Sequence, residues 1–201
     1  MASRPLAGCI LGAAVSAVTV PAAAEPLREP VPVPAPRQAL ELTLSAGYIR
    51  TPTGYGGLSS RDAREGIGSE FGLSARTLHW SVGIVAQYAK LARERGDDLH
   101  TWKGGIAVAY HLLPDEGIDP WLGVTSGYRF VRAGASHHGF EVARITAGAD
   151  LRASPLVAVG PLVSVGLDVL PWTASDDTRW YLAGLVGIQG RFDLSPAIVG
   201  D

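Results

Sequence analysis

The chain has 201 residues, a formal net charge of −2, 47% apolar and 18% charged residues, and a single cysteine, Cys9. So neutral a balance excludes the basic field that nucleic acid requires, and no nucleic-acid partner is expected. One cysteine cannot close an internal disulfide, so packing and hydrogen bonds must hold the fold.

Residues 1–24 read as a secretory signal. Arg4 supplies the positive region, residues 6–20 the apolar stretch, and Ala22-Ala23-Ala24 an A-x-A site that predicts cleavage after Ala24. Leu6-Ala7-Gly8-Cys9 also resembles the lipobox of bacterial lipoprotein signals, which would place a lipid on Cys9. The apolar stretch follows this cysteine instead of preceding it, so cleavage after Ala24 is the reading adopted. That cut removes one charged residue, Arg4, and leaves a mature chain without cysteine.

Residues 25–39 are rich in proline, which feeds neither a helix nor an inner strand. They are expected to form an extended periplasmic tether, either a plain spacer or a docking segment for a periplasmic partner. No later apolar run is long enough for a spanning helix. Only a barrel could carry the mature chain across a membrane.

From residue 40 the dominant signal is period 2, the strand signature. Leu40, Leu42, Leu44, Ala46 and Tyr48 alternate with Glu41, Thr43, Ser45 and Gly47. A second segment sets Phe71, Leu73 and Ala75 against Glu70, Gly72, Ser74 and Arg76, and a third Trp80, Val82, Ile84, Ala86 and Tyr88 against Ser81, Gly83, Val85 and Gln87. The fourth has Trp102, Ile106, Val108, Tyr110 and Leu112 opposite Lys103, Gly105, Ala107, Ala109 and His111; the fifth has Leu122, Val124, Ser126, Tyr128 and Phe130 opposite Gly123, Thr125, Gly127 and Arg129. The sixth places Ala143, Ile145, Ala147, Ala149 and Leu151 against Arg144, Thr146, Gly148, Asp150 and Arg152. The seventh places Val157, Val159, Val163, Val165, Leu167 and Val169 against Ser164, Gly166 and Asp168. In the eighth, Trp180, Leu182, Val186, Ile188, Phe192 and Leu194 oppose Gln189, Arg191 and Asp193.

Connections alternate in length. Residues 50–66, 92–100, 132–139 and 171–178 are long and polar, whereas those near Leu78, at 114–119 and at 153–155 are short. Transmembrane barrels show this asymmetry, with short periplasmic turns and longer external loops. The expected fold is all-β: an eight-stranded, antiparallel, up-and-down transmembrane barrel over residues 40–194, followed by a tail at 195–201. A soluble lipocalin-like barrel would reverse the faces. The alternate set is rich in Gly, Ala, Ser and Thr, which suits a crowded lumen better than a solvated exterior.

Aromatic residues cluster near segment ends on the apolar face: Tyr48, Trp80, Tyr88, Trp102, Tyr110, Tyr128, Phe130 and Trp180. They are expected to form interfacial girdles. Charge inside must be paired, so Glu41, Glu70, Arg76, Lys103, Arg129, Arg144, Asp150, Arg152, Asp168 and Arg191 are expected to form an ion-pair network that plugs the lumen.

On strand number, loop asymmetry and girdles, residues 40–194 resemble the small eight-stranded outer-membrane barrels of the OmpA and OmpX type. Phe192 is similar to the aromatic that ends their last strand, read by the barrel-assembly machinery, although Ser195 to Asp201 follow it here. The resemblance implies an outer-membrane location, contact with membrane lipid and lipopolysaccharide, and a structural or surface-interaction role through external loops. The peptidoglycan-binding half of OmpA-like proteins is not expected.

Ser136-His137-His138 is the one cluster inviting catalysis, through a Ser activated by a His. In residue type it resembles the lipid A deacylase barrels, and the alternative function is a lipid A-modifying enzyme. The order departs from their His-x-Ser pattern, and the cluster is expected in a loop, so a non-enzyme is the primary reading. His137 and His138 could meet Asp97, Asp98, His100, Asp176 or Asp177 around a metal, but solvated loop polarity accounts for them, and no metal or cofactor is expected. Arg61, Arg64, Arg93, Arg95, Arg132 and Arg179 lie where lipopolysaccharide phosphates would pass. Gly54, Gly56 and Gly57 open no helix, so they imply a pliable first loop rather than a phosphate cradle.

Overall fold

The computed structural model describes residues 38–51, 64–92, 98–133, 135–171 and 178–194. The signal, most of the tether, the tail and the glycines of the first loop lie outside them. Eight strands follow in chain order: β1 (Gln38–Thr51), β2 (Arg64–Thr77), β3 (Trp80–Ala92), β4 (Leu99–His111), β5 (Ile118–Ala133), β6 (Ala135–Ser154), β7 (Val157–Pro171) and β8 (Thr178–Asp193). Each pairs antiparallel with its neighbours, and β1 pairs with β8 from Glu41↔Asp193 to Arg50↔Gly184, which closes the barrel. Alternation and loop asymmetry therefore gave the right architecture. Gln38 and Ala39, which the sequence assigns to the tether, already belong to β1.

The faces follow from the period. Ile67, Ile84, Ile106, Val186 and Ile188 are each more than 60% exposed on the outer surface, while Glu41, Glu141, Asp150 and Asp168 are at most 1% exposed inside. That is the reverse of a soluble lipocalin-like barrel. A wall of exposed aliphatic side chains is stable against hydrocarbon and costly against water.

The third long connection is not a loop. The expected polar stretch 132–139 is a continuation of the β5–β6 hairpin, with Arg132 opposite Ser136 and Phe130 opposite His138, and one residue between the strands. The glycines suggested a break, yet Gly139 is a strand residue whose missing Cβ leaves room for Leu170. Close approach of β7, not a turn, explains it.

A register shift lies at Thr125/Gly127 on β5 and Glu141/Ala143 on β6. Ser126, a hydroxyl on the lipid-facing side, donates to the Glu141 carbonyl at 3.1 Å. A bulge strands a backbone carbonyl, and within a bilayer no water can satisfy it. The serine does so, which accounts for a polar residue in an apolar row.

Inside, Trp121 lies against Gly148, where an added Cβ would stand 2.6 Å from the indole. Eight strands leave a lumen just wide enough for side chains, and glycine opposite tryptophan is how this chain fits its largest one.

Placing an arginine on the outer face at mid-strand should be costly: Ile106→Arg is expected to lose about 2–4 kcal/mol, the depth-dependent cost at a bilayer midplane. Denaturant unfolding from lipid vesicles measures it. A change near zero would mean that Ile106 does not face lipid.

Candidate functional site

The lumen is stratified. Near the short turns, Glu41 accepts from Arg191 at 2.8 Å and lies 3.4 Å from Arg76. Arg76 reaches Asp119 at 3.0 Å, Arg191 Nε lies 2.8 Å from Asp150, and Arg152 donates to Asp193 at 2.8 Å. Arg191 also meets His111 Nε2 at 2.9 Å, and His111 Nδ1 is 2.7 Å from Asp119. Guanidinium only donates, so the His111 proton sits on Nδ1 and points to Asp119. Trp121 completes the layer: its indole N–H donates to Asp150 at 3.2 Å, and Arg191 stacks over the ring at 5.5 Å.

Toward the long loops a second layer centres on Glu141. Lys103 donates to it at 2.6 Å, Arg129 at 2.8 Å, and Arg144 Nε lies 3.5 Å away. Arg144 also binds Glu70, and Arg129 lies 3.2 Å from Asp168. Between the layers is a cavity with room for about 70 Å³ of water, edged by Thr43, Ser45, Ser74, Thr125 and Thr146. Val85, Ala109, Leu162 and Leu185 share its wall with these hydroxyls.

Beyond the second layer the inner face turns apolar. Ile49, Leu91, Leu99, Val131, Leu170 and Tyr181 are all buried and belong to one hydrophobic cluster. This apolar cap has the parity that the strands otherwise give to polar residues.

All ten charged residues singled out in the sequence therefore lie in these layers. Glu141, Asp119 and His111 were not among them. Glu141 was missed because the bulge after it shifts the parity of β6, so Glu141 and Arg144 share the inner face although one number is odd and the other even. Asp119 was assigned to a turn but is the second residue of β5.

Of the aromatic set, Tyr48, Tyr88, Trp102, Tyr128 and Trp180 face outward toward the long-loop end, and Phe130 is half-buried between Trp102 and His138 at centroid distances of 5.5 and 5.0 Å. Trp80 and Tyr110 meet edge-to-face at 4.9 Å by the short turns. Phe192 stands on the outward side of β8, half-buried. Outward-facing Phe71 and Phe140 extend the set.

The expectation that the Ser136-His137-His138 cluster lies in a loop is overturned. Ser136, His137 and His138 are strand residues, so Ser136 and His137 point to opposite faces. His138 Nδ1 is bonded to the Tyr128 hydroxyl on the outer surface. Strand geometry thus separates Ser136 from His137 but not from His138, two positions on, which shares its outer face.

Among the described residues, His111, Asp119 and Asp150 bring ligand atoms within 4.8 Å of one another. Arg76 and Arg191 already occupy those carboxylates, and a cation would have to displace two guanidinium groups. Of the other candidate metal group, Asp97, Asp176 and Asp177 lie outside the described residues, and Asp98 pairs with Lys90 at 2.8 Å on the surface. The Lys90 ammonium, through that hydrogen bond, holds the Asp98 carboxyl below its ordinary value. Of the six loop arginines, Arg132 is an exposed residue of β5; the side chains of the rest lie outside the described residues.

No protein-family model matches the chain, and no curated protein does. Among solved structures, it is similar to Neisserial surface protein A, with a TM-score of 0.58 at 11% identity, over 77% of this chain and 97% of that one. It also aligns with the outer membrane protein OprG from Pseudomonas aeruginosa, with a TM-score of 0.45 at 12% identity over 78% and 98%, and with the outer membrane enzyme PagL, with 0.42 at 16% over 77% and 99%. The fold is that of the small eight-stranded outer-membrane barrels.

Removing the central carboxylate should be severe. Glu141→Gln leaves Lys103, Arg129 and Arg144 without their shared anion and is expected to cost about 3–5 kcal/mol, the price of breaking a buried pair from one side. Asp98→Asn, on an exposed and solvent-screened pair, should leave the unfolding midpoint nearly unchanged. Comparing their unfolding midpoints in vesicles checks both, and equal midpoints would contradict the account.

Proposed function

We propose that the protein is an outer-membrane barrel with a closed lumen, non-enzymatic, acting as a structural or surface-interaction protein through its external face. The observation that carries this is the stratified interior, in which two ion-pair layers and an apolar cluster fill much of the lumen. On the outer face that Ser136 and His138 share, the His138 Nδ1 is engaged by the Tyr128 hydroxyl, which favours the non-enzymatic reading. In this reading the signal is cut after Ala24, the proline-rich tether stays in the periplasm, available to a partner, and the strand end at Phe192 engages the assembly machinery. The girdle rests in the two interfaces, and the long-loop end meets lipopolysaccharide.

Four measurements test it. The protein should be recovered in the salt-washed outer-membrane fraction and change gel mobility on boiling in detergent. Reconstituted in planar bilayers it should give no stable single-channel conductance, and it should release no fatty acid from lipopolysaccharide. A steady ohmic conductance would contradict the closed lumen. Fatty-acid release abolished by Ser136→Ala would contradict the non-enzymatic role.

A further inference from the structure

Two outward rows cross strands β3 to β6 at the long-loop end. The upper row runs Lys90, His100, Arg132, Ser136, each opposite the next. Directly below it runs Tyr88, Trp102, Phe130, His138. The rings of this row and of His100 are in contact: Tyr88 to Trp102 at 5.6 Å, His100 to Trp102 at 6.1 Å, and Trp102 to Phe130 at 5.5 Å. Below the aromatic row, on the β1–β4 side, the wall is indented by an apolar groove of about 470 Å³. Leu44, Phe71, Tyr88 and Trp102 edge it, and the small residues Ser69 and Ala86 form part of its lining.

We propose that this face is a binding site for a phosphorylated glycolipid of the outer leaflet, a disaccharide carrying a phosphate at each end and several acyl chains. The inference rests on the membrane reading above, with the long-loop end in the outer leaflet. Cations sit above an aromatic belt, and the groove opens below it, at the depth where an acyl chain would run. Charge complementarity selects an anionic headgroup. Lys90 and Arg132 stand two strand spacings apart, roughly 10 Å, with His100 between them. A single phosphodiester headgroup reaches one of these cations, whereas two phosphates on a disaccharide reach both. Asp98 holds Lys90 in an exposed pair, and an exposed pair of this kind is weak enough for a phosphate to displace the carboxylate.

The test uses the full refolded chain in detergent micelles, with retained lipid counted by native mass spectrometry. Diphosphoryl lipid A is the probe, against monophosphoryl lipid A, phosphatidylglycerol and phosphatidylcholine. One diphosphoryl lipid should be retained at concentrations at least tenfold below those needed for the other three. Lys90→Gln with Arg132→Gln should weaken retention at least tenfold. Ala86→Phe, which fills the groove and keeps every cation, should weaken it as well, and Arg50→Gln on the outer face of β1 should not. Equal retention of phosphatidylglycerol, or unchanged binding by the double variant, overturns the site. The heat-induced mobility shift is recorded for every sample. A shifted barrel that fails to discriminate lipids sinks the lipid site alone, whereas a wild-type chain lacking the shift sinks the membrane reading beneath it.

Discussion

Closing β1 onto β8 is the constraint from which the other features follow. Within hydrocarbon every backbone N–H and C=O must find a partner in the protein, so an open sheet edge is not tolerated. The pairing from Glu41↔Asp193 to Arg50↔Gly184 removes both edges at once. Closure with eight strands then fixes a lumen of side-chain width. Even the local fault in the ladder obeys the same rule, because Ser126 satisfies the carbonyl that the β6 bulge releases.

Closure also decides what the interior charges do. An apolar filling of the same shape would be at least as stable as buried ion pairs, since desolvation offsets most of their attraction. Their effect is on register. A one-residue slip turns every side chain to the opposite face, and here it would deliver Glu41, Glu141, Asp150 and Arg191 into lipid. The correct register places Arg191 between Glu41 and Asp150 at 2.8 Å each. The layers therefore penalise the wrong barrel more than they stabilise the right one.

Much of this was legible in the sequence, because period 2 and alternating connection lengths report on local geometry. All eight strands, their faces and the outward girdle positions follow from them. What the alternation concealed has identifiable causes. Glu141 hid behind a bulge, since parity counting assumes an unbroken ladder. Asp119 and the Ser136 to His138 stretch hid behind proline and glycine, which also occur where backbones approach closely. The apolar cap of Leu91, Leu99 and Leu170 was illegible for another reason: its residues share parity with the polar set, and only the closed barrel brings them together. Which charges pair was beyond reach as well, because partners such as Glu41 and Arg191 are 150 positions apart.

The most direct test of the inside-out arrangement is fluorescence quenching by brominated lipids in single-tryptophan variants. Trp80, Trp102 and Trp180 are 40–57% exposed on the outer wall, whereas Trp121 is 7% exposed within the lumen. Lipids brominated along their acyl chains should quench the first three and leave Trp121 bright. Strong quenching of Trp121, with the other three protected, would show that the charged face meets lipid and would contradict the assignment of inside and outside.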